Sequence, residues 1–249
     1  MALYCIFADN LKMAFNFTSI LQNELIGKST FTKDDLVKVL SAYIDNPKTI
    51  AWRIHDLKEK GIIHNIQRGV YSWSGKTQYV PEISEKIKTI QRRIQQQLPY
   101  TNFCIAETRW LNEFMRHQVF KSYLVIEIEK EATAKIYNSL KDGGENAFLT
   151  PDAFVFETYI SITENALIVK PLISESPLQL VEQVQVPTLE KMLVDIISDK
   201  EIYNAQETEA ADIFKMAAEK YNINERKLMR YARRRNKATE INNYYHISL

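Results

Sequence analysis

Lys48, Thr49, Trp52, Arg53 and Asp56 fall on one side of a helix whose other side carries Ile50, Ile54 and Leu57. A face of this kind suits a nucleic-acid groove. Lys48 and Arg53 can meet phosphates or guanine edges, while Thr49 offers polar and Trp52 apolar contact to bases or sugars. Gln67 and Arg68 lie in the polar break between two short β runs, at the tip of a hairpin that can reach flanking phosphates or the minor groove. The competing reading is a protein-interaction module that never touches DNA, with Trp52 packed against its neighbours.

Other chemistries find less support. A metal-dependent nuclease needs acidic residues and a lysine on adjacent strand ends. The run Glu127, Glu129, Lys130 and Glu131 lacks the acid-any-lysine triplet, and Glu225-Arg226-Lys227 has it on a helix rather than a strand. Both sets read as solvated charge. His55, His64, His117 and His246 are far apart, and Cys5 and Cys104 alone make neither a zinc site nor a disulfide scaffold, so no metal is expected. No Gly-x-Ser-x-Gly occurs, and six glycines leave little for a phosphate-binding loop. The expectation is a protein that is not an enzyme and carries no cofactor.

A second cationic feature lies near the C-terminus. Residues 213–237 hold nine Lys or Arg against Glu219 and Glu225. The segment reads as a helix from Glu225 to Arg235, with Leu228 and Ala232 on one side and Arg226, Lys227, Arg230, Arg233, Arg234 and Arg235 available to an acidic partner or to nucleic acid. The plainer alternative is a solvated helix end.

Local signals place the first set of residues. Thr32 before Lys33, Asp34 and Asp35 is a hydroxyl N-cap followed by acids suited to the positive helix end. Asn46 then caps a second helix with Pro47 in its first turn, and Gly61 ends it where a left-handed residue is needed. Ile62 and Ile63, then Val70, Tyr71 and Trp73, flank a turn and predict a hairpin. With a first helix over residues 11–25, the order is that of a winged helix. Ile83, Ile87, Ile90 and Ile94 predict an amphipathic helix bridging two parts.

Beyond it the pattern alternates: strands at residues 103–106 and 123–128, helices at 110–115 and 131–140. Further strands are expected at 154–157, 166–173 and 183–186, then helices from Pro187 to Ile197, from Gln206 to Tyr221, and after Asn222 or Asn224. The expected fold is mixed α/β and helix-rich: a winged helix-turn-helix over residues 1–76, a linker helix over 77–98, and an α/β partner domain with a helical end over 99–249.

The 249 residues allow two domains, and 45% hydrophobic with 25% charged residues exclude disordered and collagen-like classes. The net charge of +1 hides an asymmetry: +3 over residues 1–76, −5 over 77–199 and +3 over 200–249. A polyanion must therefore meet a local patch. The apolar run Ala2 to Ala8 is broken by Asp9 and Lys12, and no stretch reaches the roughly 18 residues of a membrane span, so a cytoplasmic protein without a membrane partner is expected.

The stretch from Pro47 to Ile63, followed by Gln67-Arg68-Gly69-Val70-Tyr71, resembles the winged helix of AbiEi-type antitoxins of bacterial abortive-infection, type IV toxin-antitoxin systems. The likeness continues in Thr108 to Met115, Pro187 to Asp195 and Tyr231 to Arg235. It implies a transcriptional regulator in phage defence, whose winged helix binds inverted repeats in its own promoter. It also implies a second domain that counters a nucleotidyltransferase-fold toxin. Family members can carry further basic patches on either domain. Here the acidic middle leaves the winged helix and the tail as the basic surfaces. Two alternatives stand beside this reading: a restriction-endonuclease-like nuclease with a winged-helix reading domain, and the interaction module without DNA binding.

Overall fold

The computed structural model describes residues 17–26, 28 and 30–247. Cys5, the run Ala2 to Ala8 and residues 11–16 of the expected first helix lie outside them. The chain is mixed α/β and helix-rich, and divides into two units, Met1–Gln78 and Tyr79–Leu249.

In the first unit, α1 (Phe17–Glu24) precedes β1 (Thr30–Thr32), α2 (Lys33–Ser41), α3 (Pro47–Glu59), β2 (Ile63–Gln67) and β3 (Val70–Trp73). The strands form an antiparallel sheet in the order β1-β3-β2, completing a winged helix. Thr32 Oγ1 accepts the Asp35 N–H at 3.1 Å while Asp35 Oδ2 accepts the Thr32 N–H at 2.8 Å, so a reciprocal cap starts α2. The neighbouring Thr32 N–H and the Lys28 ammonium hold the Asp35 carboxyl well below its ordinary range. Leu21, Leu25, Phe31, Leu36, Leu40, Ile50, Ile54, Leu57, Ile63 and Tyr71 form the core.

In the second unit, α4 (Glu85–Gln97) leads to β4 (Phe103–Glu107), a 3-10 stretch (Thr108–Phe114), β5 (Leu124–Ile128), a 3-10 turn (Lys130–Ala132), α5 (Thr133–Asp142) and β6 (Ala147–Leu149). Then come α6 (Ala153–Thr158), a 3-10 turn (Ile160–Ile162), β7 (Leu167–Pro171), the hairpin β8 (Leu178–Val181) and β9 (Val184–Pro187), α7 (Leu189–Ser198), α8 (Asn204–Glu207), α9 (Ala210–Lys220), α10 (Glu225–Arg234) and α11 (Ala238–Ile247). The main sheet runs β4-β5-β7-β6, with β4 antiparallel and the others parallel. All of α7 from Leu189 to Ile197 is buried, which makes it the central helix of this unit.

Four expectations are corrected. Residues 154–157 form part of α6 rather than a strand, because Asp152 Oδ1 accepts the Val155 N–H at 2.8 Å and starts a helix. The span Gln206–Tyr221 is split into α8 and α9 around Thr208 and Glu209, where the Glu209 carboxylate is drawn to the Arg116 N–H at 2.9 Å. Residues 108–114 wind as 3-10 helix rather than α-helix. The expected bridging helix belongs to the second unit, since Ile87, Ile90 and Ile94 are buried in that unit's core and Trp110 Nε1 donates to the Glu82 carbonyl. Among the described residues no helix is long and apolar enough to cross a membrane.

Candidate nucleic-acid interface

The first turn of α3 is built by Asn46, whose side chain accepts the Lys48 N–H at 2.9 Å, with Pro47 beside it. This cap leaves Lys48 and Thr49 exposed on the helix face opposite the core, and Trp52 follows one turn later with 55% of its surface open. Arg53 sits differently. Its guanidinium lies 4.9 Å from the Phe17 ring centroid and 5.0 Å from that of Trp52, and 4.0 Å from Asp56 Oδ2. Asp56 also accepts from Lys60 Nζ at 2.8 Å. Arg53 thus fixes α1 to α3 beside Trp52, and its Nε is buried without a partner among the described residues.

Gln67 and Arg68 are exposed at the hairpin. Arg68 and Gly69 make the turn, with Gly69 at φ +78, and the register slips between Asn65 and Gln67, which leaves Ile66 exposed. The Gly69 carbonyl accepts the Lys33 N–H at 2.9 Å, tying the wing to the start of α2. Lys48, Thr49 and Trp52 therefore project from a capped helix and Arg68 from a turn bonded to the start of α2, whereas Arg53 is partly committed to packing.

The C-terminal cations do not act as one patch. On α10, Leu228, Tyr231 and Ala232 are buried and Arg226, Arg230, Arg233 and Arg234 are exposed, with Lys227 half-buried. Arg230 lies 3.5 Å from Glu175, and Arg234 Nε donates to Ser174 Oγ at 2.7 Å. Arg235, expected on the partner surface, points inward instead. It donates to Asp195 at 3.1 Å and to Asp199 at 2.8 Å, because the buried Asp195 and the half-buried Asp199 need cations.

Those carboxylates belong to a cluster that the sequence did not reveal. Cys104, Glu127 and Lys170 stand side by side across β4, β5 and β7. Glu127, expected to be solvated, is fully buried. Lys191 Nζ donates to Glu127 Oε1 at 2.7 Å and to Asp195 Oδ2, and Tyr231 Oη donates to Asp195 Oδ1 at 2.9 Å. Lys170 Nζ donates to Asp199 at 2.6 Å and lies 3.9 Å from Glu127. Glu127, Asp195 and Asp199 thus balance Lys170, Lys191 and Arg235.

Burial opposes charge on Lys191, yet Asp195 and Glu127 outweigh it and push its pKa well above the ordinary value. Burial pushes the Cys104 thiol up. Glu129 is half-buried and accepts from Asn102 Nδ2 at 2.6 Å. These contacts make the cluster an ion-paired core of the second unit. A lone acid inside the apolar strand Leu124–Ile128, and Lys191 with Asp195 one turn apart on an apolar helix, were the signals available.

No curated protein matches the chain. Among solved structures, the chain is similar to the crystal structure of the RV2827C protein from Mycobacterium tuberculosis, with 13% identity and a TM-score of 0.34, over 93% of this chain and 78% of that one. An overlap of this size does not establish a shared fold. The DUF6577 profile, described as a family of unknown function, matches residues 49–249, from the first turn of α3 through the second unit, and the chain belongs to that family.

Proposed function

We propose that this chain is a regulator that binds duplex DNA through its first unit and meets a partner through its second. The observation that carries the reading is the pairing of a capped α3, presenting Lys48, Thr49 and Trp52, with a hairpin presenting Gln67 and Arg68. A helix with a basic, partly aromatic face next to a cationic wing is the arrangement by which winged helices enter the major groove and grip its flank. The test is a mobility shift of the full chain on its own upstream DNA against scrambled DNA. Preference for the native sequence supports the reading, and equal or absent shifts reject it.

The resemblance to AbiEi-type antitoxins extends this proposal. On that reading the protein is cytoplasmic and not an enzyme, represses its own operon at inverted repeats, and its second unit counters a nucleotidyltransferase-fold toxin. Support comes from the likeness of four sequence segments. A nucleotidyltransferase-like reading frame beside this gene is expected. Co-expression with that toxin should restore growth, and Lys48→Ala with Arg68→Ala should abolish DNA binding while leaving rescue intact. Failure of the wild-type chain to rescue rejects the antitoxin role without touching the DNA-binding one.

A further inference from the structure

The second unit carries two surfaces of opposite charge, on which Glu157 and Glu164 and, opposite in sign, Arg226 and Arg233 have no ion pair among the described residues. Between Lys141 and Lys170 the sequence has no Lys, Arg or His, but it has Asp142, Glu145, Asp152, Glu157 and Glu164. The same stretch holds four of the twelve large apolar side chains most exposed among the described residues: Leu149, Phe154 (68%), Tyr159 and Ile162 (76%). Phe154 and Glu157 are three residues apart on α6, so they share a face. Tyr159 and Ile162 are three apart across a 3-10 turn, where such side chains eclipse. Lys121 Nζ donates to the Ser161 carbonyl, which brings the fully exposed Phe120 to the same edge. Among the described residues neither Glu157 nor Glu164 has an ion pair, while Glu145 lies 3.5 Å from Lys86.

The second surface is the outer face of α10. Arg226, Arg230 and Arg233 follow a four-then-three spacing directly opposite the buried Leu228, Tyr231 and Ala232. Arg226 and Arg233 have no ion pair among the described residues. Arginine stacks on aromatic rings as well as pairing with carboxylates, so this face matches an acidic surface studded with Phe and Tyr.

We propose that the chain forms a two-fold dimer in which the acidic, apolar surface of residues 149–164 receives α10 of a second copy. A two-fold axis makes this contact twice, so each protomer offers both surfaces and the assembly closes.

Sedimentation and light scattering of the full chain test this at low and high salt. A mass near twice 29.1 kDa is expected at low salt. Glu157→Arg with Glu164→Arg, or Arg226→Glu with Arg233→Glu, should each weaken dimerisation at least about tenfold. All four changes in one chain should restore it, since the charges are exchanged and complementary again. These residues are exposed, so circular dichroism of the variants should match the wild type. A wild-type chain that stays monomeric overturns the proposal and leaves the acidic surface to a different basic protein. A dimer that survives both charge reversals, or is not restored by the four-fold variant, overturns it as well.

Discussion

Lys191 Nζ lies 2.7 Å from Glu127 Oε1, a contact between two side chains 64 residues apart and both closed to solvent. It joins α7 to the middle of the sheet and makes the charges of the second unit interdependent. Removing Lys191 leaves the buried Glu127 with Lys170 alone at 3.9 Å and Asp195 with Arg235 and Tyr231, so the cluster keeps an uncompensated buried charge, which costs more than the pair contributes. Lys191→Met should therefore lower unfolding stability by about 3–5 kcal/mol, read from urea denaturation. A change under about 1 kcal/mol would contradict this role.

The same cluster sets the acid response. Burial pushes Glu127 up, but Lys170 and Lys191 outweigh it and hold the carboxyl below its ordinary range. At Asp199 burial is outweighed by Lys170 and Arg235 in the same sense. Groups depressed on folding stabilise fully above their unfolded pKa, and that stability is lost as pH falls through the folded value. Asp195, pushed up by burial, works in the opposite direction. The urea midpoint should hold steady near neutrality and fall below about pH 4. A midpoint that rises on acidification from about pH 5 to pH 3 would mean that Asp195 dominates.

In the first unit the reciprocal Thr32–Asp35 cap positions α2, and the wing is tied to the same point. Thr32→Ala should cost about 1 kcal/mol, and adding Asp35→Ala should cost less than the separate effects combined, because both remove one bonded unit. Strict additivity by thermal unfolding would argue against a reciprocal cap.

Arg53 and Lys48 should separate stability from recognition. Arg53 rests on Phe17 and Trp52, contacts worth about 0.5–1 kcal/mol each, so Arg53→Ala should lower stability and DNA affinity together. Lys48→Ala should weaken DNA binding while stability stays within about 0.5 kcal/mol. If Arg53→Ala leaves stability unchanged, the stack does not hold α1.

Helices α2 and α3 were legible because their signals are local. Thr32, Asn46-Pro47 and Gly61 each act on the backbone within a few residues. The hairpin at Gly69 was legible for the same reason. Residues 154–157 misled because Phe-Val-Phe suits a strand, and only the Asp152 cap decides for helix. β6 and α11, absent from the expectation, are a short strand set by pairing with β7 and a helix set by packing on α9 and α10. The ion cluster was hidden because its members meet only when α7 and α10 close over the sheet. For the same reason Arg235 looked like its surface neighbours.

In the proposed function the first unit grips duplex DNA through α3 and the wing. Each phosphate neutralised adds a slope of about −0.9 to log affinity against log salt. Affinity of the full chain for its own upstream DNA, measured across a salt series, should fall steeply. Lys48→Ala and Arg68→Ala should each flatten the slope by about one if they hold phosphates. No sequence-preferring binding at low salt, or a slope that neither substitution changes, would contradict the account.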